Sequence, residues 1–282
     1  MTTFSLRDTP APPTSAGSGS LAPVRVHHDL ARGGLLDLER LAVLAATLPA
    51  ASIEHNVGAV PAVLPGGVAP QSSLTPPEIV RSIDTNGCWM VLKNVEQDPE
   101  YAALLDACLD ALEPQLTASE GRSVLREGFV FLSAPGSVTP THIDPEHNVL
   151  LQVSGTKTMC IGRFPTDADR DLQAERLHSG EHRNLESAAV DVTDYPLGPG
   201  DGVYVPVHAP HVVRNGPAPS ISLSVTWRTR RTLREGSVLS LNARLRRRGL
   251  PTAAPGAGAR DHVLQAVERG LRLPDKLRAR RT

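Results

Sequence analysis

Cysteine is scarce in this chain of 282 residues: Cys88, Cys108 and Cys160 are the only three, they lie far apart, and none belongs to a CxxC pair. Such residues build neither a disulfide framework nor a thiolate zinc site, and they read as small buried hydrophobes. Long apolar runs are also missing, since none approaches the roughly 18 residues that a membrane span needs. The N-terminus shows no basic segment followed by an apolar core, so the expected location is a reducing cytoplasm. No fixed period repeats along the chain, and its strand-like segments do not alternate with helices as a Rossmann sheet would require.

The net charge of −1 hides an asymmetry. From Arg228 onward fifteen Arg or Lys stand against four acids, a surplus of +11, while the remainder has fourteen against twenty-six, or −12. The basic tail, with "ARLRRRGL", has almost no interleaved aromatics, which argues against nucleic acid as a partner. It reads as a helical extension that docks on an acidic body, its own or that of a partner copy.

At 40% hydrophobic residues the chain can bury a sizeable core. Residues 1–24, with "APPTSAGSGSLAP", hold little that packs, and disorder is expected there. "GLLDLERLAVLAATL" repeats leucine at helical spacing and Pro49 stops it. Thr75 before Pro76 and Pro77, and Asp98 before Pro99, mark two further helix starts in "LTPPEIVRSIDTN" and "DPEYAALLDACLDALEPQL". "WMVLKNV" between them reads as a short strand. From Gly128 the pattern changes to short or alternating apolar runs punctuated by Gly, Pro and Asp: "GFVFLSA", "NVLLQVSG", "KTMCIGRF", "DGVYVPV", "HVVRNG" and "SISLSVTWR". These predict an antiparallel sandwich or barrel. "GSVLSLNARLRRRGL" and "DHVLQAVERGLRL" return to helix.

The chemistry concentrates in "VTPTHIDPEHN". Successive strand residues point to opposite faces, so His142 and Asp144 share a face and Ile143 takes the other. An imidazole beside a carboxylate suits a metal, and iron(II) in oxygenases takes two imidazoles and one carboxylate on one side of an octahedron. A lone HxD is weak evidence, and "HHD" supplies a second one in His27 and Asp29. No strand pattern or glycine turn surrounds that pair, and we reject it as a site. The missing imidazole is offered by "LGPGDGVYVPVHAPH", where His208 and His211 lie three apart and face opposite ways in an extended segment, so only one of them can join.

"THID", "NVLLQVSGTKTMCI" and "GPGDGVYVPVHAPH" resemble, in order and spacing, the successive motifs of the JmjC or cupin-like iron(II)- and 2-oxoglutarate-dependent oxygenases. The resemblance covers about residues 128–230. It implies a mainly β protein with flanking helices around a double-stranded β-helix (jelly-roll) core. The expected organisation is a disordered segment 1–24, a helical region 25–125 packing on the barrel, a catalytic β-helix 126–232 and a basic helical extension 233–282. It further implies that His142, Asp144 and His211 hold iron(II) and are the catalytic residues, with His208 outside the ligand set. Lys157 then meets the far carboxylate of 2-oxoglutarate, whose burial without a cation would be costly, and Thr139 and Asn148 line the same place.

Many relatives use a tyrosine at that carboxylate, whereas "GFVFLSA" has Phe129 and Phe131, and weaker co-substrate binding is the expected consequence. Glu146 and His147 are expected to rim the mouth, and Trp227 to sit near the last barrel strand. The implied activity is hydroxylation of a C–H bond in an amino-acid, peptide, protein or small natural-product substrate, with release of succinate and carbon dioxide. The alternatives are a cupin metalloenzyme that does not use 2-oxoglutarate and a noncatalytic ligand-binding cupin regulator.

Overall fold

The computed structural model describes residues 3–6, 22–57, 72–181, 183–185, 189–256 and 258–279. Twelve strands occur among them: β1 (Phe4–Leu6), β2 (Val24–His28), β3 (Ile53–Val57), β4 (Cys88–Lys93), β5 (Ser123–Ser133), β6 (Val138–His142), β7 (His147–Ser154), β8 (Lys157–Arg163), β9 (Val190–Leu197), β10 (Asp201–Val205), β11 (His211–Asn215) and β12 (Ser220–Thr229). The helices are α1 (Leu38–Thr47), α2 (Pro76–Arg81), α3 (Pro99–Leu116), α4 (Asp167–His178), α5 (Arg230–Arg246) and α6 (Ala259–Ala279). All strand pairs are antiparallel, in an eight-stranded sheet ordered β1-β2-β10-β7-β12-β5-β4-β3 and a four-stranded sheet ordered β6-β11-β8-β9. From β5 to β12 the chain winds between the two sheets, which makes the double-stranded β-helix that the motifs imply.

The largest core lies outside the barrel. Every residue of β7 except Ser154 is buried, and so is every residue of β12 except Arg228. Strand alternation nevertheless sorts the two sets. Val149, Leu151, Val153, Leu223, Val225 and Trp227 point outward and pack with leucines of α1 and α3 in the main hydrophobic cluster. Asn148, Gln152, Ser222, Ser224 and Thr226 occupy the alternate positions, and of these Asn148, Ser224 and Thr226 line a cavity inside the barrel. A smaller cluster that includes Leu150, Met159, Val203 and Val213 closes the interior.

The helix signals hold locally. The Glu78 carboxylate accepts from the Thr75 backbone N–H at 2.8 Å and from its hydroxyl at 2.6 Å, and Asp98 accepts from the Glu100 N–H at 2.9 Å. Two expectations need correction. The segment 25–125 holds more than helices and the one expected strand, β4: β2 and β3 lie within or across its limits as well, and the three lengthen the larger sheet on both sides. Residues 1–24 are not uniformly disordered either, since Phe4–Leu6 pairs with β2 and Phe4 and Leu6 pack on the main core. A three-residue apolar alternation is enough when a sheet edge offers its unpaired backbone groups. Residues 7–21, where the rest of that expectation falls, lie outside the described residues. Among the described residues, no helix is long and apolar enough to cross a membrane.

The Ser154-Gly155 turn aims β8 back across the barrel. Gly155 has φ +67, and a Cβ there would stand 2.2 Å from the Pro219 carbonyl oxygen. Gly155→Ala should therefore cost about 1–3 kcal/mol or more of stability, read as a lowered midpoint in denaturant unfolding, while Gly256→Ala, which meets nothing within 4 Å, should change little.

Candidate metal centre

β6 and β11 are neighbours in the smaller sheet, and their register sets His142 directly opposite His211. The register shifts between His211 and Val213, an irregularity beside the site. The two rings lie 4.1 Å apart between centroids. His142 Nδ1 is 2.7 Å from the Pro140 carbonyl oxygen, and His211 Nδ1 is 2.8 Å from that of Ala209. A carbonyl only accepts, so each Nδ1 carries a proton and donates it, which leaves Nε2 of each ring as the atom whose lone pair can hold a metal. Asp144, just past the end of β6, brings Oδ2 to 3.7 Å from His142 Nε2 and 3.4 Å from His211 Nε2.

These three residues form a group whose ligand atoms all lie within 4.8 Å of one another. Two lone pairs and a carboxylate oxygen converging in a buried place repel one another unless a cation or protons intervene. On His142 a proton is disfavoured: burial, followed by the neighbouring His211, pushes its imidazole down to about 3. Burial opposes ionisation of Asp144, but its charged surroundings, the Arg183 guanidinium among them, outweigh that and hold the carboxyl below the usual range. Nitrogen and oxygen donors of this kind fit a divalent first-row metal.

The cavity in front of this group has a volume of about 200 Å3. Thr139, Asn148 and Lys157 all line it, so the structure brings together every site residue the sequence proposed. Phe129 and Phe131 line it too. Lys157 is buried, its Nζ donates to Ser222 Oγ at 2.7 Å, and among the described residues no carboxylate pairs with it. Desolvation alone pushes its ammonium down to about 7. The Asn148 side-chain carbonyl accepts from Ser224 Oγ at 2.7 Å.

Of the two competing histidines, His208 turns away. Its Nε2 lies 2.9 Å from His178 Nε2, and its backbone, at φ +60, donates to the Asp144 carbonyl at 3.0 Å. Glu146 does line the cavity, ion-paired to Arg228. The expectation for His147 was wrong: it is the first residue of β7 and points to the outer face. There its Nδ1 meets the Tyr204 hydroxyl at 2.8 Å, its Nε2 meets Glu120 at 2.9 Å, and Trp227 stacks on it at 5.3 Å. His27 lies on a strand after all, β2, and pairs with Asp201 at 3.3 Å, away from the metal group.

Two residues escaped sequence reasoning. Ser222 was legible in principle, because "SISLSVTWR" alternates hydroxyl and apolar side chains. Arg183 had no local signal: it comes from the segment after α4, and only the fold brings its Nη1 to 3.2 Å from Asp144 Oδ1.

Comparison with known proteins matches the JmjC domain family model to residues 116–234. Jumonji C domain-containing protein 5 of Drosophila melanogaster is 33% identical over 108 residues, covering 34% of this chain and 26% of the relative. The chain thus spans about a quarter of the length of that relative. Among solved structures, the ribosomal oxygenase YcfD from Escherichia coli in complex with cobalt and 2-oxoglutarate is similar at 16% identity and a TM-score of 0.45, covering 89% of this chain and 63% of that one. The DMSP lyase DddQ from Ruegeria pomeroyi DSS-3 is similar at 20% identity and a TM-score of 0.25, covering 39% of this chain and 40% of that one.

The buried lysine sets a pH dependence. Its folded value, about 7, lies below the ordinary 10.5, so between those values the unfolded chain binds the more protons and stability rises with pH. The cost of burying the ammonium is full below pH 7 and gone above pH 10.5. In denaturant titrations without any diacid, Lys157→Met should gain stability at neutral pH, on the order of a few kcal/mol, and lose most of the slope across that window. The buried donor group, the barrel that carries it and the match over residues 116–234 agree: that segment belongs to the JmjC domain family.

Proposed function

We propose that the chain is an iron(II)- and 2-oxoglutarate-dependent oxygenase. It hydroxylates a C–H bond of an amino-acid, peptide, protein or small natural-product substrate and releases succinate and carbon dioxide. One observation carries this reading: a single cavity holds a two-imidazole, one-carboxylate donor set and, at its far end, an ammonium with no counter-charge among the described residues. Lys157 pairs with Asn215 across β8 and β11, four residues along β11 from His211, and that offset is roughly 13 Å of strand. The lysine side chain and a metal held by His211 shorten the gap to the length of a small diacid.

What a bound iron supplies is oxygen activation coupled to decarboxylation of the diacid. The residues do the rest. His142, Asp144 and His211 would hold the metal, and the Pro140 and Ala209 carbonyls orient both imidazoles for it. Lys157, Ser222 and Thr139 receive the far carboxylate, whose arrival restores the charge of the lysine. Leu150, Met159, Val213 and Phe131 keep the cavity dry, and Glu146 with Arg228 meets the substrate at the mouth. We place the protein in the cytoplasm, where its buried thiols stay reduced.

The test is to load the chain with iron(II) and 2-oxoglutarate without oxygen, admit oxygen, and measure succinate. Mass spectrometry of a treated cell extract then seeks a product with one added oxygen atom. Succinate should form, His211→Ala should lower it by roughly 100-fold or more, and Lys157→Ala should retain metal while requiring far more 2-oxoglutarate. Metal binding without any succinate would favour the cupin enzyme that does not use 2-oxoglutarate.

We also propose a homodimer through the C-terminal helices. α6 buries Asp261 and Glu268 and exposes Val263, Val267 and Leu271, an apolar stripe at four-residue spacing. Light scattering should give twice the chain mass, and Val267→Glu should return it to the monomer value; a monomeric parent would end this proposal.

A further inference from the structure

Asp144 has two carboxylate oxygens, and they face different partners. Oδ2 looks toward both histidine Nε2 atoms, at 3.7 and 3.4 Å, while Oδ1 accepts from Arg183 Nη1 at 3.2 Å. The guanidinium is held there by backbone pairing. The Ile143 N–H donates to the Arg183 carbonyl at 3.2 Å, the Leu185 N–H to the Thr141 carbonyl at 2.8 Å, and Asn184 bridges to His142. Residues 183–185 thus lie along the free edge of β6, anchored at the residue between two of the ligands. A guanidinium beside a cation site works against metal affinity by simple charge. Its value at this place is therefore geometric.

We propose that Arg183 is a positioning residue that confines Asp144 to one metal-bonding oxygen and so keeps a coordination place free for the co-substrate. The inference rests on the oxygenase reading above. A facial triad fills half of an octahedron, and the other half must take the two-toothed keto acid and oxygen. A second oxygen from Asp144 would occupy one of those places. With Oδ1 committed to a charge-assisted hydrogen bond, the carboxylate turns only Oδ2 to the metal. Because the donor is cationic, removing it should act in opposite directions on metal and diacid: the metal loses a repelling neighbour and gains a ligand, and the diacid loses a place to bind.

The experiment uses cobalt(II), so that no turnover is needed. The full chain, Arg183→Met and Arg183→Lys are titrated with cobalt by calorimetry and visible absorption, and the loaded proteins are then titrated with 2-oxoglutarate. Arg183 is half exposed, so neither replacement disturbs the core. Arg183→Met should bind cobalt at least as tightly as the parent, with a changed absorption band, and should bind 2-oxoglutarate about tenfold or more weakly. Arg183→Lys, which keeps a cation and a donor, should restore most of the diacid affinity. A methionine variant with the parent's spectrum and 2-oxoglutarate affinity overturns the inference, as does one that loses cobalt while keeping the parent's diacid affinity once loaded, because that pattern marks a purely structural contact. If the parent binds cobalt but no 2-oxoglutarate, the oxygenase reading itself fails, a result distinct from both.

Discussion

Two imidazole lone pairs and a carboxylate oxygen are held face to face by the pairing of β6 with β11, and the remaining design follows from this enforced repulsion. Left free, such groups would separate or protonate. Here the strand register fixes the ring positions, two backbone carbonyls fix their tautomers, and Arg183 fixes the carboxylate. A cation relieves the conflict, so the barrel stores a preference for metal in its hydrogen bonds.

The same logic operates at the other end of the cavity. Lys157 is buried with a neutral hydroxyl as its partner, a state that water would not tolerate cheaply and that an incoming carboxylate corrects. Stability is given up at both ends of the cavity in favour of binding. The fold tolerates this because its main core lies elsewhere, between the outer face of the larger sheet and the helices. Strands β7 and β12 serve both needs at once, with apolar side chains turned to the helices and polar ones turned inward.

Much of this was legible in the chain. Asp144 and His142 share a face because of strand alternation, and Lys157 begins a strand after the Ser154-Gly155 turn. The rest depended on long-range packing. β2 carries the Val24, Val26, His28 alternation, but a single five-residue strand has meaning only beside β10, far along the sequence. Phe4–Leu6 was lost in a segment whose composition signals disorder. His147 was assigned to the mouth because it follows Asp144 closely, yet it opens β7, and one position of strand parity sends it to the opposite face.

By itself, the sequence determined the strand-rich barrel with its helical flanks, the donor types and the pair of histidines from which one ligand had to come. It does so because alternation, capping and turn chemistry are local properties. The family resemblance had already named His211 over His208, while the tertiary structure alone decided that its ring meets His142, that Lys157 has a hydroxyl and, among the described residues, no acid beside it, and that Arg183 occupies the second oxygen of Asp144. Each of these is a meeting of residues distant in the chain, and strand register and side-chain packing, which no local signal encodes, set the distances between them.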